Sequence, residues 1–130
     1  MAQLFRGDIW YINFPNTFDP RYPNGKWKFV VVLQEGDYFK NYDTVTVLLT
    51  TKDSASKGYE TNVTIPRGTT QLREETYIIC AQPYTIKREL FDAPGARYFG
   101  HLDPQKMAEV DAALYNGLCM GQVFAKDLAK

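Results

Sequence analysis

Apolar positions along the chain gather in short runs separated by turn-forming residues. Residues 8–14 read D-I-W-Y-I-N-F, dense in β-branched and aromatic side chains, and predict a strand. Residues 28–34, K-F-V-V-V-L-Q, form an apolar run short enough for a buried strand. Residues 44–51, T-V-T-V-L-L-T-T, open with alternation, and 61–66, T-N-V-T-I-P, put Val63 and Ile65 on one face. Residues 76–82, T-Y-I-I-C-A-Q, predict another buried strand, with 84–90 as a short continuation after Pro83. The gaps carry turn chemistry: three Pro, two Asn and one Gly across 15–25, a polar stretch with Gly36 across 35–43, and a Ser/Lys/Gly loop across 53–60. Many short strands with turns between them suggest a small barrel or sandwich.

The end of the chain changes period. Asp103 suits an N-cap and Pro104 the first helical position. Met107, Val110, Leu114 and Leu118 then recur at helical spacing and predict an amphipathic helix over 104–118, closing near Gly117 or Gly121. The reading is a mainly β domain over 1–121 with a C-terminal helix, followed by a tail over 122–130.

At 130 residues, one domain can bury a core without disulfides or a structural metal. Apolar residues at 45% and charged residues at 23% fit a globular chain and argue against disorder. Fifteen Lys and Arg cancel fifteen Asp and Glu, which excludes a uniformly basic nucleic-acid binder. A polyanion site must then be a local patch. No apolar run approaches the roughly 18 residues of a membrane span, and the start lacks a signal core, so a cytoplasmic protein without membrane association is expected. Cys80 and Cys119 allow one disulfide or two buried thiols, the second being the expectation in a reducing compartment. With His101 the single histidine, no zinc set is in view, and no metal or cofactor is expected.

Four local strings, in order, resemble the MazF/PemK family of toxin endoribonucleases. Arg6-Gly7-Asp8-Ile9-Trp10 is similar to the family's opening "RGDIW", and Lys28-Phe29-Val30-Val31-Val32-Leu33-Gln34 to its "RPVLVLQ" strand. Leu48-Leu49-Thr50-Thr51 followed by Lys57-Gly58-Tyr59 is similar to "P-[IV]-T-[ST]" with "KGY" after it. Cys80-Ala81-Gln82-Pro83-Tyr84-Thr85-Ile86-Lys87 is close to "CDQ-[IP]-R-T-I-D", and Gly100-His101-Leu102-Asp103 leads into a helix as in the family's ending. The resemblance spans about 6–121. It implies a small SH3-like β-barrel with a C-terminal helix, a fold shared with CcdB toxins. It also implies a homodimer, an antitoxin partner of the MazE/PemI kind, and metal-free cleavage of single-stranded RNA by 2′-hydroxyl attack.

Such chemistry needs a base, an acid, and groups that hold charge on the phosphate. By resemblance the catalytic pair is Lys28, where the family carries Arg, and Thr50. Lys lacks the planar fork of Arg, but its pKa moves readily on desolvation. Phe29 replaces the family's Pro, the first loop lacks the family's Glu, and Ala81 stands where some members carry Asp. Asp19 is the nearest loop carboxylate, and turn chemistry is its plainer role. Arg21, Lys26 and Lys28 alternate with Tyr22 and Trp27, a pattern of charges for phosphates and faces for bases. Thr51, Lys52, Gln82, Tyr84 and Lys87 complete the expected RNA surface, with Gln82 as support for the groove and Arg88 near it. His101 is expected to be structural. The alternatives are an RNA-binding member without catalysis and a CcdB-like gyrase poison. The acids of the helix, Asp103, Glu109 and Asp111, should lie away from the groove.

Overall fold

A computed structural model describes residues 2–15, 19–37, 39–124 and 126. Parts of the expected 15–25 and 35–43 loops (16–18 and 38) and most of the far tail (125 and 127–130) lie outside those residues. The elements with bounds among these residues are seven strands and an α-helix: β1 Asp8–Phe14, β2 Lys26–Val32, β3 Thr44–Thr51, β4 Asn62–Ile65, β5 Thr76–Ile79, β6 Tyr84–Lys87, β7 Arg97–His101 and α1 Pro104–Gly117. The sheet is antiparallel, in the order β4-β5-β3-β2-β1-β7, and curls into a half-barrel with α1 against it. The expected mainly β fold with a C-terminal helix is the one observed.

β3 organises the curl. One edge pairs with β2, Val30↔Leu49 and Val31↔Leu48. The other edge is divided: Thr50 and Thr51 pair with β5, while Thr44 to Val47 pair with β6. The predicted 76–82 strand therefore stops at Ile79. The chain must turn to reach the second half of the same edge, and Pro83 has no N–H to offer a ladder. Likewise the 84–90 continuation ends at Lys87, and Arg88–Phe91 form a 3-10 turn that buries Phe91.

The V-V-V run of β2 is explained by a core on each face. One core holds Ile9, Val31, Leu48, Val63, Ile65, Ile78 and Cys80 under Met107, Val110 and Ala113 of α1. The other holds Ile12, Phe14, Val30, Val32, Val45, Val47 and Leu49. A strand with both faces covered loses its alternation.

β2 also starts two residues earlier than predicted, at Lys26. Gly25 makes the entry possible. Its φ is +84°, and a Cβ there would stand 2.6 Å from the Phe14 carbonyl oxygen. β7 was not predicted. It is an edge strand whose five residues R-Y-F-G-H are mostly exposed, so no buried period marks it. The helix matches closely: Asp103 accepts from the Lys106 N–H at 2.7 Å, and Pro104 opens the first turn. Leu118 departs from the expected stripe. It caps the helix and is exposed.

His101 Nδ1 lies 2.8 Å from Oδ1 of Asp8, a buried carboxylate that also accepts the Phe5 N–H. The pair ties β7 to β1, the structural role expected of His101. Both cysteines are free, but only Cys80 is buried; Cys119 is exposed, contrary to the expectation of two buried thiols. It follows the helix, where the chain turns back through a positive φ of 58°.

Candidate functional site

At the C-terminal end of β3 the curled sheet leaves a cleft of about 440 Å³. β1 supplies Tyr11, β2 supplies Lys26 to Phe29, and β3 with its following turn supplies Thr50 to Asp53. Six of the ten residues expected to form the site thus meet in one place: Lys26, Trp27, Lys28, Thr50, Thr51 and Lys52.

The aromatic wall is built by register. Tyr11 pairs with Phe29 across β1 and β2, with ring centroids 4.7 Å apart, and its ring lies 5.4 Å from that of Trp27. Trp27 rests against Gly95, where a Cβ would come within 2.9 Å of the indole. It still keeps 37% of its surface exposed. Trp27 therefore packs on one side and presents apolar surface on the other.

Lys28 is half-buried in the cleft. Burial lowers its pKa from the ordinary 10.5, and the neighbouring Lys26 charge adds to that shift. Lys26 points its ammonium at Tyr22, 4.6 Å from the ring centroid and 3.4 Å from the hydroxyl. Lys52 lies 3.7 Å from Glu74, with both side chains more than half exposed, so water weakens the pairing to about 0–1 kcal/mol.

Thr50 is buried to 5% exposure, and its hydroxyl donates to the Phe29 carbonyl at 2.9 Å. That single proton is already committed, so donation to a phosphate requires the hydroxyl to rotate away from Phe29. Thr51 differs: its hydroxyl accepts from the Asp53 N–H at 3.2 Å and retains a proton to give. Asp53, which the sequence reading missed, is the one carboxylate among the described residues lining this cleft. Its Oδ1 accepts the Ala55 N–H and caps the Ser54–Ser56 turn. The Asp following Lys52 carried no signal beyond that of a loop residue.

Four expected residues do not line the cleft. Arg21 is locked to Asp19, with its Nη2 2.8 Å from Oδ2 and its Nε within 3.2 Å of both carboxylate oxygens. The guanidinium holds the Asp19 pKa down at about 2, which makes Asp19 a poor proton acceptor. Tyr84 packs edge-on against Phe14 in the second core. Lys87 pairs with Thr44 at the opposite end of β3 and bridges to Asp43 at 3.4 Å. Gln82 is exposed in the turn between β5 and β6. Arg88 lies over the Phe39 ring at 4.4 Å, beside Lys87. The helix acids lie elsewhere, as expected: Asp111 bridges to Arg6, and Glu109 to Lys106.

The model of the PemK-like, MazF-like toxins of type II toxin–antitoxin systems matches residues 5–118. The chain belongs to that family. No match is found among curated protein sequences. Among solved structures it is similar to a mycobacterial endoribonuclease in complex with its cognate antitoxin, at 14% identity and TM-score 0.70, covering 93% of this chain and 100% of that one. It is similar to toxin MazF-mt6 of Mycobacterium tuberculosis at 18% identity and TM-score 0.65, covering 87% and 98%. A MazE–MazF complex of Deinococcus radiodurans matches at 18% identity and TM-score 0.68, covering 92% and 100%. At these identities the likeness is one of fold. Within this MazF-like fold, Lys28, Thr50 and Thr51 share one cleft, with Trp27 exposed beside them.

Proposed function

We propose that this MazF-like chain is a toxin-type endoribonuclease that cuts single-stranded RNA, mRNA above all, in the cytoplasm and without a metal ion. The observation that carries the reading is the single cleft where three lysines, an aromatic wall and three threonines, Thr50 and Thr51 among them, converge. In the reaction the ribose 2′-oxygen attacks the adjacent phosphorus and its proton passes to a base. The P–O5′ bond breaks, and the leaving oxygen takes a proton from an acid. The products are a 2′,3′-cyclic phosphate and a 5′-hydroxyl.

Lys28 suits the acid, because burial brings its pKa down while leaving a proton to give. Asp53 supplies the carboxylate that accepts the 2′-proton. Lys26 and Lys52 hold phosphates, Trp27 stacks a base, and the Thr50 and Thr51 hydroxyls serve the non-bridging oxygens. Incubation of the purified protein with a long mRNA in EDTA should give discrete fragments with those ends. Intact RNA at high protein concentration would remove the reading. Binding without cleavage has one observation in its favour, the Thr50 proton already donated to Phe29. Salt-sensitive RNA binding with no products would select it.

The fold's second exposed feature supports partners. Leu114, Tyr115, Leu118 and Met120 line an apolar groove of about 410 Å³ at the end of α1. Unpaired apolar surface of this kind fits a homodimer, and the antitoxin-bound relatives support an antitoxin as the regulator. Light scattering of the purified chain should give twice its 14.9 kDa mass.

A further inference from the structure

Beside the cleft lies a second hollow of about 260 Å³, which shares Phe29, Lys52 and Thr76 with it. Its far side is formed by Arg73, from the segment before β5, and by Arg97 and Phe99 of β7. None of these three has a part in the reaction outlined above. Phe29 and Phe99 meet edge to face, with centroids 4.8 Å apart and planes at 82°, so one ring continues the aromatic wall at right angles to the other. The Arg97 guanidinium stands 5.4 Å from the Phe99 centroid.

The two arginines differ from others in the chain. Arg6 and Arg21 are each held by a carboxylate, and Arg88 donates to the Tyr42 carbonyl. The side chains of Arg73 and Arg97 are exposed, and neither makes an ion pair or side-chain hydrogen bond among the described residues. Glu74, the one acid among the described residues lining the hollow, lies 3.7 Å from Lys52 and makes no ion pair with either arginine. Two guanidinium forks therefore line this hollow, Arg97 over the Phe99 ring and Arg73 on the rim. That combination suits a single-stranded nucleotide: a face for the base and planar donors for a phosphate. The hollow is smaller than the roughly 300–1,000 Å³ of a drug-sized site, which limits it to one nucleotide.

We propose that this hollow is a second nucleotide subsite, taking the base next to the one stacked on Trp27. Phe99 stacks the base, and Arg97 with Arg73 holds the phosphate that links it to the nucleotide in the cleft. The proposal rests on the ribonuclease reading of that cleft and extends its substrate by one unit toward β7.

The test uses the full chain and uncleavable single-stranded oligoribonucleotides of mixed sequence carrying 2′-deoxyribose, followed by fluorescence anisotropy. Arg97→Gln should weaken binding of a hexanucleotide about tenfold and make its salt slope shallower by about 0.7. The same variant should bind a mononucleotide, which fills the cleft alone, like the parent. Arg97→Lys should restore the salt slope but not the full affinity, since the charge returns without the fork. In the parent, a 5-iodouridine hexanucleotide should photocrosslink to the peptide containing Phe99, a readout that needs no variant to fold. If Arg97→Gln keeps the parent's affinity and slope while Lys52→Gln loses both, the subsite falls and the ribonuclease reading stands. Crosslinks confined to other peptides would likewise overturn the subsite. If the parent binds neither the hexanucleotide nor the mononucleotide at low salt, both the reading and the subsite fall.

Discussion

The two ends of β3 carry similar side chains and arrange them differently. At the Thr44 end, Lys87 meets Asp43, and Arg88 is spread over Phe39 with a donor on the Tyr42 carbonyl. At the Thr50 end, Lys26, Lys28 and Lys52 surround a hollow space walled by Tyr11, Trp27 and Phe29, with Asp53 beside them and Glu74 3.7 Å from Lys52. Counting cations would not separate the two ends. What separates them is the space the cations face: at the Thr50 end they line an open cleft that a phosphate can enter, whereas Lys87 and Arg88 lie on Asp43 and Phe39.

The comparison can be broken most decisively at the reacting groups. Lys28→Ala and Thr50→Ala should each lower RNA cleavage by about 10²–10⁴-fold in a fragment assay. Full activity in both would move the chemistry away from this end of the strand. Leu48→Ala, fully buried in the middle of the same strand, should lower stability by about 2–5 kcal/mol in urea melts while leaving the chemistry of the surviving fold intact.

The pH profile sharpens the contrast further. A depressed folded-state pKa means that the proton leaves Lys28 at lower pH than from a free lysine. Cleavage should therefore fall on the alkaline side below pH 10.5, and Lys28→Arg should move any remaining fall upward, since Arg keeps its proton. The folded state holds that proton less tightly than the unfolded chain, so this group adds stability as pH rises through the window between the two values.

A smaller effect is expected at the single phosphate contacts. Lys52→Gln should shallow the salt dependence of RNA binding by about 0.7, whereas Lys87→Gln should leave it unchanged. The cysteines supply a control on the native state. The Cys80 thiol is pushed up to about 12 by burial and should react with a thiol reagent only after unfolding, while Cys119 reacts at once.

Much of this was legible in the sequence because the signals were local. The β1 and β3 runs, the Asp103–Pro104 start and the Met107/Val110 face all lie within one element each, and each appears where its pattern placed it. Lys26 to Lys28 and Thr50 to Lys52 were found for the same reason, as contiguous strings. β7 escaped because only Phe99 and Gly100 of this edge strand turn inward, too few to impose a period. Arg73, Arg97 and Phe99 escaped with it, since nothing in a linear reading joins residue 29 to residue 99. Lys87 looked equivalent to Lys52 in composition. Only the register, Thr44↔Lys87 against Thr50↔Ile78, shows that they lie at opposite ends of one strand.

The paired cores also constrain how this sequence can drift. Val30 and Val31 are neighbours in the chain yet belong to opposite cores. One residue inserted into or deleted from β2 would exchange every inward side chain between two differently shaped interiors and would turn Lys28 to the wrong side. Length changes over evolutionary time should therefore be confined to the stretches on either side of β2, where the chain can grow or shrink without altering the parity of the strand.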